Sequence, residues 1–342
     1  MTRLTALVAA VAVAGTAQAQ PPDATTPKVV LVVSRAFVES LTRQTFDEVA
    51  PIATTQKGAT IAGTAHVAGG FTVWFHKSQT EAAFDIRADG TVDTDIGVTR
   101  RPVCVQLDGH AGLCATRRIA FDGDAYAGGP VAVQAGYAST LEGIDTLRRG
   151  PLAPVIRRVG QRVVLRTLPK ADREAGGAVR SRTADKMTEE TERVVEILNA
   201  VHKVRVEVTT KLRDRGLGAP DERRPALATT DDALLAGFGF PKGSPPTLPV
   251  AGGPTASAEI WVYRPLSAAE RLALERIRPE AKDAWDTKVK PKVVAQLKRH
   301  SPALAERVEN ATHDVTIDVT GAPGWHRIRF FKELNEAAPP TP

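Results

Sequence analysis

The sequence predicts an α+β fold: a long antiparallel β-meander packed against amphipathic helices, with a C-terminal helix pair and a β-hairpin. Three observations predict it. Between Gly58 and Phe121 apolar residues recur at every second position, the period of a half-buried strand. From Leu152 to about Arg215 they recur at three-to-four spacing, the period of a helix. Residues 258–331 then read as strand, helices and hairpin. Of 342 residues, 42% are apolar and 25% charged, which is ordinary for a folded globular chain.

The elements follow in order. Residues 1–19 have the parts of a cleavable secretory signal: Arg3, the apolar stretch Leu4–Gly15, and Ala17-Gln18-Ala19 before the break at Pro21-Pro22. The apolar run is short of the roughly 20 residues needed to span a bilayer. The expectation is an exported chain, in the periplasm, on the cell surface or in the medium, with no transmembrane segment after signal cleavage. Residues 20–27 read as a linker. Lys28–Val33 is an apolar run compatible with a strand or a helix start. Ser34 is placed as an N-cap, and Phe37, Val38, Leu41, Thr45 and Val49 recur at helical spacing up to Pro51.

From Gly58 the period is two. Ile61, Gly63, Ala65 and Val67 share one face, and Thr60, Thr64 and His66 the other. Ala68-Gly69-Gly70 reads as a turn into Phe71, Val73 and Phe75, pairing Val67 with Phe71. Ser78–Thr80 and Asp89-Gly90 read as further turns, giving four short strands. Asp108-Gly109-His110 reads as another, which sets Cys104 opposite Cys114. These are the two cysteines of the chain. In an exported protein the expectation is a disulfide between them, against two buried thiols or a Cys/His metal site with His110. A one-sided antiparallel sheet must cover its apolar face, and the flanking helices are the candidates.

Leu152–Leu168 reads as a helix with Leu152, Val155, Ile156, Val159 and Val163 on its apolar side. Residues Ala178 to about Arg215 continue at helical spacing through Met187, Thr191, Val194, Leu198 and Val201, with helix or strand open over 203–212. Together these make 28–215 one unit. Residues 216–257 read as a Pro/Gly-rich connection with a short strand near Leu234. In 258–331, Glu259–Tyr263 reads as a strand, Ser267 and Glu270 as a capping box, and Pro279 as a helix break. A further helix follows on Trp285, Val289 and Val293, and the hairpin Val315–Phe330 packs on the same fold. Residues 332–342 read as a disordered tail.

No catalytic or cofactor motif stands in the chain. There is no HExxH and no GxSxG, and Gly237–Gly243 lacks phosphate-loop spacing. The hairpin register keeps His66 and His76 four strand residues apart, too far to share a metal ion. Asp93 and Asp95 point to one face, a pattern open to acid–base work, calcium or a solvated sheet edge. The strongest anomaly is charge. Arg148, Arg149, Arg157, Arg158, Arg162, Arg166 and Lys170 lie between Thr146 and Ala171 without one acidic residue. They form a basic helix face open to an anionic membrane surface or an envelope polymer, or to plain solvation. Nucleic acid is not expected in an exported chain with 5% aromatics.

The stretches Val33-Ser34-Arg35, Leu41-Thr42, Pro51-Ile52, Gly63-Thr64-Ala65, Asp89-Gly90-Thr91 and Arg101-Pro102-Val103 resemble a group of uncharacterised exported bacterial proteins. That group has an N-terminal helix, a meander and long helices, and it implies no catalytic residues. In layout alone, helix, meander and long helix are similar to tubular lipid-binding domains, where a curved sheet wraps a helix around an apolar channel. The expected function is an exported, non-catalytic binding or cell-envelope protein with an apolar ligand between sheet and helix. The alternatives are a hydrolase of an envelope polymer through Asp93 and Asp95, and a protein-binding scaffold.

Overall fold

A computed structural model of the chain describes residues 28–42, 45–56, 58–147, 149–214, 225–240, 246, 258–263, 268–300, 302–310, 316–319 and 325–330. The expected signal, linker, tail, Ser267 cap and Arg148 lie outside the described residues.

The chain opens with strand β1 (Lys28–Ser34) and helix α1 (Arg35–Leu41). Ser34 caps α1 as expected, its hydroxyl accepting from the Phe37 amide at 3.1 Å. The helix then ends early. Thr42 donates back to the Glu39 carbonyl, and Thr45–Gln56 is strand β2 rather than further helix. Val49 and Thr45 therefore belong to a sheet edge, where β-branched residues and Pro51 are both at home.

Strands β3 (Ala59–Phe75), β4 (Ala82–Arg100), β5 (Val103–Phe121) and β6 (Tyr126–Thr146) complete a five-stranded antiparallel meander in the order β2-β3-β4-β5-β6. The α+β reading holds, with one correction to the turns. Ala68-Gly69-Gly70, Asp89-Gly90 and Asp108-Gly109-His110 lie inside continuous strands. Two of the supposed turns are cross-strand partners, with Gly69 opposite Gly90 and Gly70 opposite Asp89. Ser78–Thr80 does lie in a turn, where the Ser78 hydroxyl accepts from the Thr80 and Glu81 amides.

Helix α2 (Ala153–Asp214) runs unbroken through the region left open as helix or strand. It returns antiparallel along β6 and β5 on the inner face of the meander. Its placement is set by small residues: Gly160 lies against Val103 and Ile144, and Gly176 against Tyr137. Length matching holds the pair together. Gly160 to Asn199 rises roughly 58 Å at 1.5 Å per helical residue, and Ile144 to Tyr126 spans roughly 59 Å at 3.3 Å per strand residue. Asn199 closes the near end, bonding both the amide and the carbonyl of Tyr126.

The rest builds a second sheet. Strands β7 (Ala226–Thr229), β8 (Ala233–Phe238), β9 (Ala258–Tyr263), β10 (Thr316–Val319) and β11 (Trp325–Phe330) join β1 in the order β10-β11-β9-β1-β8-β7. The short strand expected near Leu234 is β8, and β7 pairs with it where irregular connection was expected. Strand β1 is central and buried on both faces, which is why its sequence does not alternate. Helices α3 (Ala268–Lys288), α4 (Lys290–His300) and α5 (Pro302–Asn310) follow one another in contact, with α3 and α4 against α2. Pro279 sits inside α3 and does not end it.

One core joins these parts. It contains Val29, Leu31, Phe37 and Leu41, the near ends of β3 to β5 (Val73, Phe84, Ile86, Ile119), α2 from Met187 to Val208, β8, and Trp285 and Val293. Beyond it the far half of the meander has only a small cluster of its own around Val92, Ala111 and Leu113.

Candidate functional site

Register defines the inner face of the far half row by row. Ile52, Gly63, Ile96, Leu107 and Leu141 form one row, and Thr54, Ile61, Val98, Val105 and Ile144 the next. Helix α2 covers the β6 and β5 ends of these rows. Toward the β2 edge the cover stops. Ile61, Ile96 and Val98 are only half-buried, and Ala50 and Glu48, on the same face of β2, are exposed. The result is an apolar strip beside the helix, walled near the core by Phe46 and Phe71, whose rings meet edge-on at 5.6 Å. On the helix side the strip has polar fixed points. Ser139 donates to Asp172 at 2.5 Å, and the Tyr137 and Thr94 hydroxyls lie 2.9 Å apart.

The first half of α2 differs from its expected orientation. The residues turned to the sheet are Ala153, Ile156, Gly160, Val164 and Leu168, each half-buried. Val155, Val159 and Val163, expected to face the core, are 58%, 56% and 56% exposed, and Leu152 is exposed with them. The segment carries two adjacent apolar rows, and periodicity alone does not tell which lies down. Gly160 decides, because the row containing it can approach a strand closely. Among the basic residues, Arg149, Arg158, Arg162, Arg166 and Lys170 are exposed, while Arg157 is drawn to Asp145 at 3.3 Å.

The outer face of the meander is polar. His66 faces Val49 and Asp93 and bonds Asp47 at 2.5 Å, while His110 bonds Asp93 at 2.6 Å and His76 bonds Asp85 at 2.9 Å. The hairpin register expected to hold His66 and His76 four residues apart belonged to the false turn, since Ala59–Phe75 is one strand. Asp93 and Asp95 do share the exposed face, and Asp95 stands opposite Asp108. No group of three or more His, Cys, Asp or Glu among the described residues is arranged to hold a metal ion.

The two cysteines are free thiols, and the expected disulfide is corrected. Both lie on the continuous strand β5, Cys104 opposite Thr99 and Cys114 opposite Asp89. Ten residues of extended chain put roughly 33 Å between them, far beyond disulfide reach. Partial burial and the neighbouring Asp89 carboxylate push the Cys114 thiol up, away from thiolate reactivity. Asp89 itself is held below the usual carboxylate range by Arg87.

Sequence reasoning missed the buried polar residues where α2 enters the core. Arg117 of β5 is 5% exposed and reaches Glu192 at 2.5 Å, Thr191 at 2.6 Å and the Gly129 carbonyl at 2.8 Å. Arg205 lies over the Phe238 ring at 4.1 Å and donates to His202 Nε2 at 3.1 Å. Burial first, and then the Arg205 charge, lower the His202 imidazole to about 4. Burial likewise raises the Tyr126 phenol. The only signal available was a charged residue in line with apolar ones, Arg117 on the alternation of a strand and Arg205 on the apolar stripe of a helix, which sequence alone does not separate from a surface position.

No known protein family matches the chain, and no curated protein does. Among solved structures, the crystal structure of lipopolysaccharide binding protein aligns with 72% of this chain and 58% of its own, at 11% identity and a TM-score of 0.19. The match thus spans less than two thirds of that protein, and at this TM-score it carries no assignment of fold or ligand. Nor is any described helix long and apolar enough to cross a membrane.

Proposed function

We propose that this chain is an exported, non-catalytic binding protein that lays the apolar tail of an amphiphilic ligand along the inner strip of the meander, beside α2. The observation that carries the reading is the incomplete cover of Ile61, Ile96 and Val98. A sheet built as a one-sided apolar layer loses free energy wherever that side stays wet. An extended acyl chain running parallel to the helix would remove such surface without moving the fold. Binding sites of this kind are mainly apolar with few polar groups, and Ser139, Asp172 and Tyr137 are placed to orient a polar end. The hydrolase reading has less support. Asp93 and Asp95 lie on an open sheet face rather than in a cleft, and Asp93 is engaged by His110.

Native mass spectrometry of the gently purified chain should reveal a co-purifying lipid, and the delipidated protein should take up a fluorescent fatty acid. Ile96→Asp should weaken uptake at least about tenfold without altering the far-ultraviolet circular dichroism. A clean ligand-free mass from several expression hosts, together with no uptake, would rule the reading out.

A further inference from the structure

The first half of α2 carries three neighbouring rows. Ile156, Gly160, Val164 and Leu168 face the sheet. Next around the helix come Val155, Val159 and Val163, more than half exposed. Beside them run Arg158, Arg162, Arg166 and Lys170, all exposed and without an ion-pair partner among the described residues. Three exposed valines in one row serve no purpose in water, and a merely solvated outer face has no need of them. A hydrophilic polyanion would use the cations and leave the valines idle. A lipid surface uses both, because apolar side chains enter the boundary between headgroups and acyl chains while cations meet phosphates.

We propose that this valine–arginine face of α2 docks the protein on an anionic lipid surface. Val155, Val159 and Val163 insert, and Arg158, Arg162, Arg166 and Lys170 pair with the headgroup phosphates. The absence of acidic residues from Thr146 to Ala171 supplies the charge complementarity. Arg157 takes no part, being turned to Asp145. This rests on a surface separate from the inner strip, so each can fail alone.

The test is flotation of the full chain with phosphatidylcholine vesicles, with and without one quarter phosphatidylglycerol. Binding should require the anionic lipid and weaken with salt. The triple variant Arg158→Gln, Arg162→Gln, Arg166→Gln should lose most of the anionic preference, by more than about tenfold. The triple variant Val155→Ser, Val159→Ser, Val163→Ser should lose binding to a similar degree while keeping the parent's unfolding midpoint, since all three positions are exposed. In Val159→Trp, indole emission should shift to the blue on adding anionic vesicles. The N-terminal apolar stretch is common to all variants, so the differences report on α2. Equal binding by parent and valine variant, or no emission shift, overturns the proposal. So does dextran sulfate binding that competes fully with vesicles and ignores the valine substitutions, which would identify a polyanion site instead.

Discussion

His202 shows what a single buried residue does to this fold. It is 7% exposed, its Nε2 accepts from Arg205, and the Phe121 ring lies 5.0 Å away. That hydrogen bond puts the ring proton on Nδ1. Protonating Nε2 would set two donors face to face beside a permanent guanidinium charge. The folded-state pKa near 4 lies below the unfolded value near 6.5, so the unfolded chain binds the extra proton first. Stability is therefore intact above about pH 6.5 and drains as pH falls toward 4, by on the order of 3 kcal/mol. Urea unfolding at pH 7 and at pH 4.5 should show this loss in the parent. In His202→Gln, which does not titrate, the loss should be smaller, and parallel profiles for the two proteins would contradict the assignment.

At the scale of the strand, glycines were the misleading signal. Gly69 and Gly90 face each other, and the Phe46 ring lies over both; a β-carbon built on Gly69 would stand 2.5 Å from that ring and 2.3 Å from the Asp89 carbonyl. Gly109 is likewise overlaid by Tyr137. An aromatic side chain covering a strand glycine is a known device of sheets, and it needs the glycine for close approach rather than for a reversal. Gly69→Ala should therefore cost about 1–3 kcal/mol, the usual penalty of overpacking. Gly112→Ala, on the same meander with nothing within 4 Å of the new carbon, should be close to neutral. Equal losses at the two sites in denaturant titrations would refute the covering argument. The same residues show how far the sequence was legible. The shared face read for Ile61, Gly63, Ala65, Val67, Phe71, Val73 and Phe75 is the one they take in β3, because a three-residue turn and an uninterrupted strand preserve the same alternation. Where the chain reversed was not legible, because Gly-Gly and Asp-Gly look alike in a turn and under a ring. The second sheet was hidden for a different reason: β1 pairs with β8 and β9, some 200 residues away, and no local pattern reports such a partner. The valine row of α2 was seen but assigned to the wrong side, since two apolar rows competed and only the β6 contact chose between them.

For the whole molecule, the decisive feature is unequal cover along one continuous meander. Near the second sheet the inner-face residues Val73, Phe84, Ile86 and Ile119 are fully enclosed by helices and by β1. Farther out the same strands meet a single helix and a small cluster, and both candidate binding surfaces lie in that far half. Local opening free energy follows buried apolar contact, so strand amides there should exchange sooner than those near the core. Hydrogen exchange should find residues 59–67 and 93–107 labelled well before 82–88 and 115–121, although each pair belongs to the same hydrogen-bonded ladder. A bound acyl chain on the inner strip would supply the missing cover and slow exchange selectively at Ile61, Ile96 and Val98. Vesicles acting through the outer valine row would protect α2 near Val159 and leave those strands unchanged. Uniform protection along the ladder in the free protein would mean that one helix suffices to seal the sheet, and the physical motive for a ligand on the strip would disappear with it.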